Sequence, residues 1–137
     1  ELIMAETFGF ELVSPEKLLL SVDAEMVVVP GEAGDFGVLP GHAPVISTLR
    51  NGVIEVTTPG KAEPERIFVA GGVAEVGGDK LTVLAEEAVP LAKLDRAKVE
   101  QQLKDAREDF EDAKDEHAKA RCQALVDKYA AMLEAVA

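Results

Sequence analysis

Glu86-Glu87-Ala88-Val89-Pro90-Leu91-Ala92-Lys93-Leu94-Asp95 divides this 137-residue chain, because Pro90 is its last backbone breaker. All eleven glycines and all seven prolines lie between Gly9 and Pro90. Glycine supplies positive φ, and proline fixes φ and withholds a donor, so a segment that meets one or the other every few residues is a turn-rich β structure. The forty-seven residues after Pro90 contain neither and are rich in Ala, Leu, Glu and Lys, a helical composition. Two units are therefore expected, a β domain over 1–90 and a helical one over 91–137.

Upstream of the divide, short apolar stretches are bounded by turn residues roughly every ten positions, the spacing of a sandwich or barrel. Phe8, Phe10 and Leu12 alternate with polar or small neighbours until Ser14-Pro15. Residues 18–22 and the continuous apolar run 26–29 follow, and Pro30-Gly31 is expected to stop the second. Asn51-Gly52, between apolar stretches 45–49 and 53–56, predicts a hairpin with a type I′ turn, and Gly77-Gly78 predicts another between 73–76 and 81–85. Gly71-Gly72 reads as a bulge or a tight crossing between strands. The sum is a β-sandwich or barrel of about ten antiparallel strands, a meander closed on itself to bury its edges.

The stretch Gly31-Glu32-Ala33-Gly34-Asp35-Phe36-Gly37-Val38-Leu39-Pro40-Gly41-His42-Ala43-Pro44 is too glycine-rich for a plain strand. It reads as a rigid loop presenting Asp35, Phe36 and His42. Within it, Leu39-Pro40-Gly41-His42 fits a type II turn, with proline at the second position and glycine taking positive φ at the third, while Pro44 drives Ala43 extended.

Downstream, Val99, Leu103, Ala106, Phe110 and Ala113 share one helical stripe, and Ala118, Cys122, Leu125, Tyr129, Met132 and Val136 form a second, out of phase with the first. Acidic residues crowd Asp109 to Glu116 and oppose one continuous helix. Two helices, about 92–109 and 117–136, are expected in a C-terminal α-helical hairpin. Alanine in both stripes gives little burial per residue, so the hairpin is weakly held and an extended arrangement lies close in energy; a hairpin permanently packed on the sandwich is the alternative, and a longer, continuous helix also stays open. A separate reading makes the protein a free-standing binding module whose tail dimerises as a coiled coil through Val99, Leu103, Ala106 and Phe110.

Net charge is −12, of which residues 1–90 carry −10. So acidic a head, without a basic stripe, argues against nucleic-acid and anionic-lipid partners. No apolar run approaches a membrane span, and no basic, Ser/Arg-rich leader opens the sequence; Met4 is a candidate start, with Glu1, Leu2 and Ile3 as non-native additions. The single cysteine, Cys122, fits a reducing compartment and reads as a packed thiol. His42 and His117 have no metal-ligand spacing around them, and no phosphate-binding glycine loop is present. Nothing reads as an active site.

Gly34 to Pro44, together with Leu12-Val13-Ser14-Pro15-Glu16, Val69 to Val76 and Val83-Leu84-Ala85-Glu86, closely resembles in order and spacing the epsilon subunit of bacterial F-type ATP synthase, called delta in mitochondria. The resemblance covers essentially the whole sequence. It implies a non-catalytic rotor subunit of the central stalk, without cofactor, peripheral on the cytoplasmic face of the bacterial inner membrane. Its partners would be the gamma subunit, the ring of c subunits and, with the tail extended, the catalytic alpha and beta subunits, whose ATP hydrolysis the tail would inhibit.

By position, the resemblance puts Asp35, Phe36 and His42 toward the c-ring, and Ser14, Pro40, Gly41, Ala43 and Pro44 against gamma. Lys114, Lys119, Arg121 and Lys128 would meet the catalytic subunits. Members whose hairpin binds ATP carry Ile or Leu, Asp, two variable residues, then Arg-Ala. Here Leu94-Asp95-Arg96-Ala97 is followed by Lys98-Val99, which keeps the charge but loses the planar fork. That departure argues against a nucleotide site at Leu94, Asp95 and Lys98.

Overall fold

A computed structural model describes residues 6–136, so the expectations for Met4 and for Glu1 to Ile3 lie outside the described residues. The protein separates into two compact units at Pro90/Leu91. In the first, eight strands follow in order: β1 (Phe8–Val13), β2 (Leu18–Ala24), β3 (Met26–Gly31), β4 (Gly34–Val38), β5 (Val45–Thr48), β6 (Gly52–Thr57), β7 (Glu65–Gly77) and β8 (Lys80–Pro90). They hydrogen-bond in the order β2-β1-β8-β7-β6-β3-β4, with β5 added on β7.

The long strand β7 makes a sandwich of this path. Its first half pairs with β6 and its second half with β5, while β8 follows it throughout. Buried core residues switch from Ile67 and Val69 to Ala74 and Val76 across Gly71-Gly72, so the strand changes its inward face there. Register with β8 is unbroken, which makes the glycine pair a tight crossing. Gly71 has φ 66° and Gly72 φ 121°, and a Cβ on Gly72 would lie 2.1 Å from the Leu84 carbonyl oxygen. The two layers close over Phe10, Leu12, Val27, Val29, Ile54, Val56, Leu81 and Val83, all essentially without exposure. Each such side chain contributes about 1.5–3 kcal/mol relative to exposure.

Five expectations for the β unit are corrected. The strands number eight among the described residues, because Ile67 to Val76 is one strand, and β1 runs parallel to β8, joining two parts of the sequence whose relative direction local periodicity does not encode. Asn51-Gly52 is not a type I′ hairpin. Neither residue has positive φ, and β5 and β6 pair with different halves of β7. Gly52 serves close approach instead, since a Cβ there would lie 2.9 Å from Pro30 Cβ. Gly34–Val38 is strand β4 rather than loop, paired with β3, which itself runs through Pro30-Gly31. The β7–β8 hairpin does form, on Gly78-Asp79 with φ 60° at Gly78 alone, the type II′ pattern.

In the second unit a 3-10 turn (Leu91–Lys93) precedes α1 (Arg96–Asp112) and α2 (Glu116–Val136). Helix α1 starts four residues later than expected because the Asp95 carboxylate accepts from the Ala97 and Lys98 amides at 3.0 and 3.4 Å, fixing the N-cap. Asp115 does the same for α2, accepting from Ala118 N at 2.7 Å. Val99, Leu103 and Ala106 are buried within the single protomer, which removes them as the seam of a dimeric coiled coil. Of the second stripe only Met132 is buried, and Leu125 is 39% exposed. No helix among the described residues is long and apolar enough to cross a membrane.

Replacing Asp115 by Ala is expected to cost the α2 cap about 1 kcal/mol. Hydrogen exchange at the Ala118 amide should then accelerate about fivefold, by RT ln K, while strand amides such as Val83 hold their rate. An unchanged Ala118 rate would remove the cap.

Candidate partner-binding site

The β3–β4 hairpin carries the acidic candidate. Glu32 and Ala33 form its turn, and Asp35 stands opposite Pro30 at its end. Arg50, beyond β5, grips both strands of that end. Its amide donates to Pro30 O at 3.1 Å, Nη1 to Gly31 O at 2.8 Å and Nη2 to Asp35 Oδ1 at 2.5 Å. On the turn itself, Glu32 N donates to Thr48 O at 2.9 Å and Thr48 Oγ1 to Glu32 Oε2 at 2.5 Å. The carboxylates of Glu32 and Asp35 are thus fixed in position while remaining on the surface.

At the other end of β4 the backbone turns back through Leu39 to Pro44. Gly41 has φ 81°, and His42 N donates to Leu39 O at 3.1 Å, the geometry of the expected type II turn. His42 Nδ1 lies 2.7 Å from Ala43 O, and since a carbonyl only accepts, the ring nitrogen is the donor of that bond. The Phe36 and His42 ring centroids are 6.5 Å apart. Phe36 and His42 are therefore brought together, whereas Asp35 is engaged by Arg50.

Ser14 closes the β1–β2 turn. Its amide and hydroxyl both donate to Lys17 O, and its oxygen accepts from Lys17 N. It follows the last residue of β1. A shallow pocket lined by Phe8, Leu39, Gly41, His42 and Lys80 puts the Pro40-Gly41 turn at the first residue of that strand. At about 3.3 Å per residue the two features are some 15–20 Å apart. Pro40, Gly41, Ala43 and Pro44 thus form one patch and Ser14 another.

On the helices, the Lys119 ammonium lies 5.0 Å from the centroid of Phe110, joining α2 to α1, and that of Lys128 lies 4.8 Å from Tyr129. Lys114 and Arg121 are exposed. Of the three positions matching the nucleotide motif, Asp95 caps α1, Lys98 is exposed beside it, and Leu94 N donates to Leu91 O in the 3-10 turn. Sequence reasoning missed Arg50. It acts on residues fifteen and nineteen positions away, and no local pattern marks it.

Residues 7–91 match the family described as ATP synthase, Delta/Epsilon chain, beta-sandwich domain, and residues 95–137 match the family of the C-terminal domain of the ATP synthase epsilon chain. The ATP synthase epsilon chain of Maricaulis maris is 52% identical over 129 residues, covering 94% of this chain and 96% of that one. That of Paramagnetospirillum magneticum is 50% identical over 134 residues, covering 98% and 100%. The fold is similar to one chain in the cryo-EM structure of the Euglena gracilis mitochondrial ATP synthase OSCP/F1/c-ring, with TM-score 0.83 at 23% identity over 100% of this chain and 85% of that one.

Proposed function

The chain belongs to the ATP synthase epsilon family, and from that premise we propose how its two units work in the complex. It is a non-catalytic subunit of the central stalk. The sandwich joins gamma to the c-ring on the cytoplasmic face of the bacterial inner membrane, with Asp35, Phe36 and His42 toward the ring. Pro40, Gly41, Ala43 and Pro44 lie against gamma, with Ser14 as a separate contact at the far end of β1.

A joint that carries torque must hold its contact groups still while leaving them accessible. The observation that carries the reading is the β3–β4 hairpin: Arg50 and Thr48 tie its acidic end down, and the Leu39–His42 bond closes its other end as a rigid turn. The helical pair is the regulatory arm. Its second helix buries only Met132, so its resting place is set by small energies, and rising along gamma it obstructs rotation and inhibits ATP hydrolysis. In that state Lys114, Lys119 and Arg121 are exposed cations for acidic loops of the catalytic subunits. Lys128 joins them from beside the Tyr129 ring, as Lys119 does from beside that of Phe110.

Replacing Asp35, Gly41 and His42 together by Ala is expected to remove about 2 kcal/mol or more of interface energy. ATP-driven proton pumping by the assembled complex should fall at least about tenfold relative to ATP hydrolysis. Pumping at the normal ratio takes Asp35 and His42 out of the ring interface.

A further inference from the structure

We infer that Arg50 is a positioning residue for the ring contact: it fixes the Asp35 carboxylate in one orientation so that the second oxygen, Oδ2, is presented as a ready hydrogen-bond acceptor. The inference rests on the assignment of Asp35 to the ring, and it adds the residue that makes Asp35 competent. Arg50 Nη1 is anchored on Gly31 O, so the guanidinium plane is set by the backbone before it meets Asp35. Nη2 then takes Oδ1. Oδ2 has no hydrogen-bond partner among the described residues.

The pair is not there for stability. Its side chains are 45% and 57% exposed, and ion pairs that wet contribute little. The hairpin end keeps its other ties without the ion pair, because Glu32 and Thr48 hold the turn through separate bonds and the Arg50 amide still donates to Pro30 O. What the guanidinium supplies is order. An exposed aspartate at a hairpin end samples several rotamers, and freezing one in advance lowers the cost of docking. With its charge balanced by Arg50, the carboxylate attracts distant cations weakly. It suits a polar loop offering N–H or O–H donors at short range.

The test uses the full-length subunit and a complex stripped of it, reading the concentration of added subunit needed to restore half of the coupled proton pumping. Arg50→Met should raise that concentration about threefold to tenfold, with the melting temperature of the isolated subunit within about 4 °C of wild type. Arg50→Lys should fall between, since an ammonium lacks the planar fork that spans Gly31 O and Asp35. Asp35→Asn should weaken restoration at least as much as Arg50→Met. The double variant should match Asp35→Asn alone, because Arg50 acts through that carboxylate.

The exchange Asp35→Arg with Arg50→Asp restores an ion pair but removes the acceptor from the tip, and should stay impaired. Wild-type restoration by Arg50→Met alongside an impaired Asp35→Asn overturns the role of Arg50 and leaves Asp35 at the ring. Wild-type restoration by Asp35→Asn overturns the ring assignment itself. Full recovery in the exchange variant overturns positioning in favour of a simple brace.

Discussion

Gly72→Ala is expected to unfold the sandwich or leave it barely stable. Two penalties fall on one methyl group. At φ 121° an L side chain is strained, and the added Cβ would sit 2.1 Å from Leu84 O and 2.9 Å from Ala85 Cα, both backbone atoms of a paired strand. Backbone atoms cannot swing aside as a side chain can. Relief requires β7 and β8 to part where they cross between layers, which also disturbs the bond from Leu49 N to Gly72 O at 2.9 Å. The cost should be at least about 3 kcal/mol, against a total stability of about 5–15 kcal/mol for a domain.

Thermal unfolding of the full-length protein followed by circular dichroism checks this, with a fall of about 10 °C or more expected. Gly37→Ala is the control: it has ordinary φ and open space around its Cβ position, so it should melt within a few degrees of wild type. Equal melting of the Gly72 variant and the control would show that the crossing is not the tight point of the fold.

Truncation after Pro90 should leave a folded head that still assembles, and should raise ATP hydrolysis by the complex severalfold. The head's core runs from Phe8 to Ala85 and draws all its members from the strands and the Leu49 bridge, so no core residue is lost with the tail. The helical arm has its own buried set, Val99, Leu103, Ala106 and Met132. Hydrolysis measured on complexes of equal composition, with the full-length and the truncated subunit, decides the matter. Unchanged hydrolysis would mean that the arm does not inhibit in this enzyme.

The features legible in the sequence were those written in local dihedral angles. Pro90 is the last residue of β8 and of the β unit, and Leu39-Pro40-Gly41-His42 makes its turn because proline and glycine set the two central φ values. The type of each helix followed from its apolar rhythm. Their starts depended on Asp95 and Asp115, whose capping role is a matter of one carboxylate reaching back to one or two amides.

Strand partnership was less legible. Asn51-Gly52 has the composition of a hairpin turn, yet β5 and β6 leave it toward different halves of β7, so long-range pairing overrode a local preference. Gly34 and Gly37 made β4 look like loop, although the strand is held by register with Val28 and Gly31 across the hairpin. At the candidate site the turn residues were readable and the clamp was not. Arg50 is one of five basic residues in the first ninety, and only the folded register brings it onto Gly31 and Asp35.

The central claim is that residues 1–90 are a self-sufficient sandwich that carries association with the stalk, with the helical arm acting only on turnover. It is tested most directly by mixing purified residues 1–90 with the gamma subunit and measuring the mass of the eluting species by light scattering. The account predicts a one-to-one complex, formed by a fragment that unfolds cooperatively when heated alone. A fragment that unfolds cooperatively yet elutes apart from gamma would contradict it.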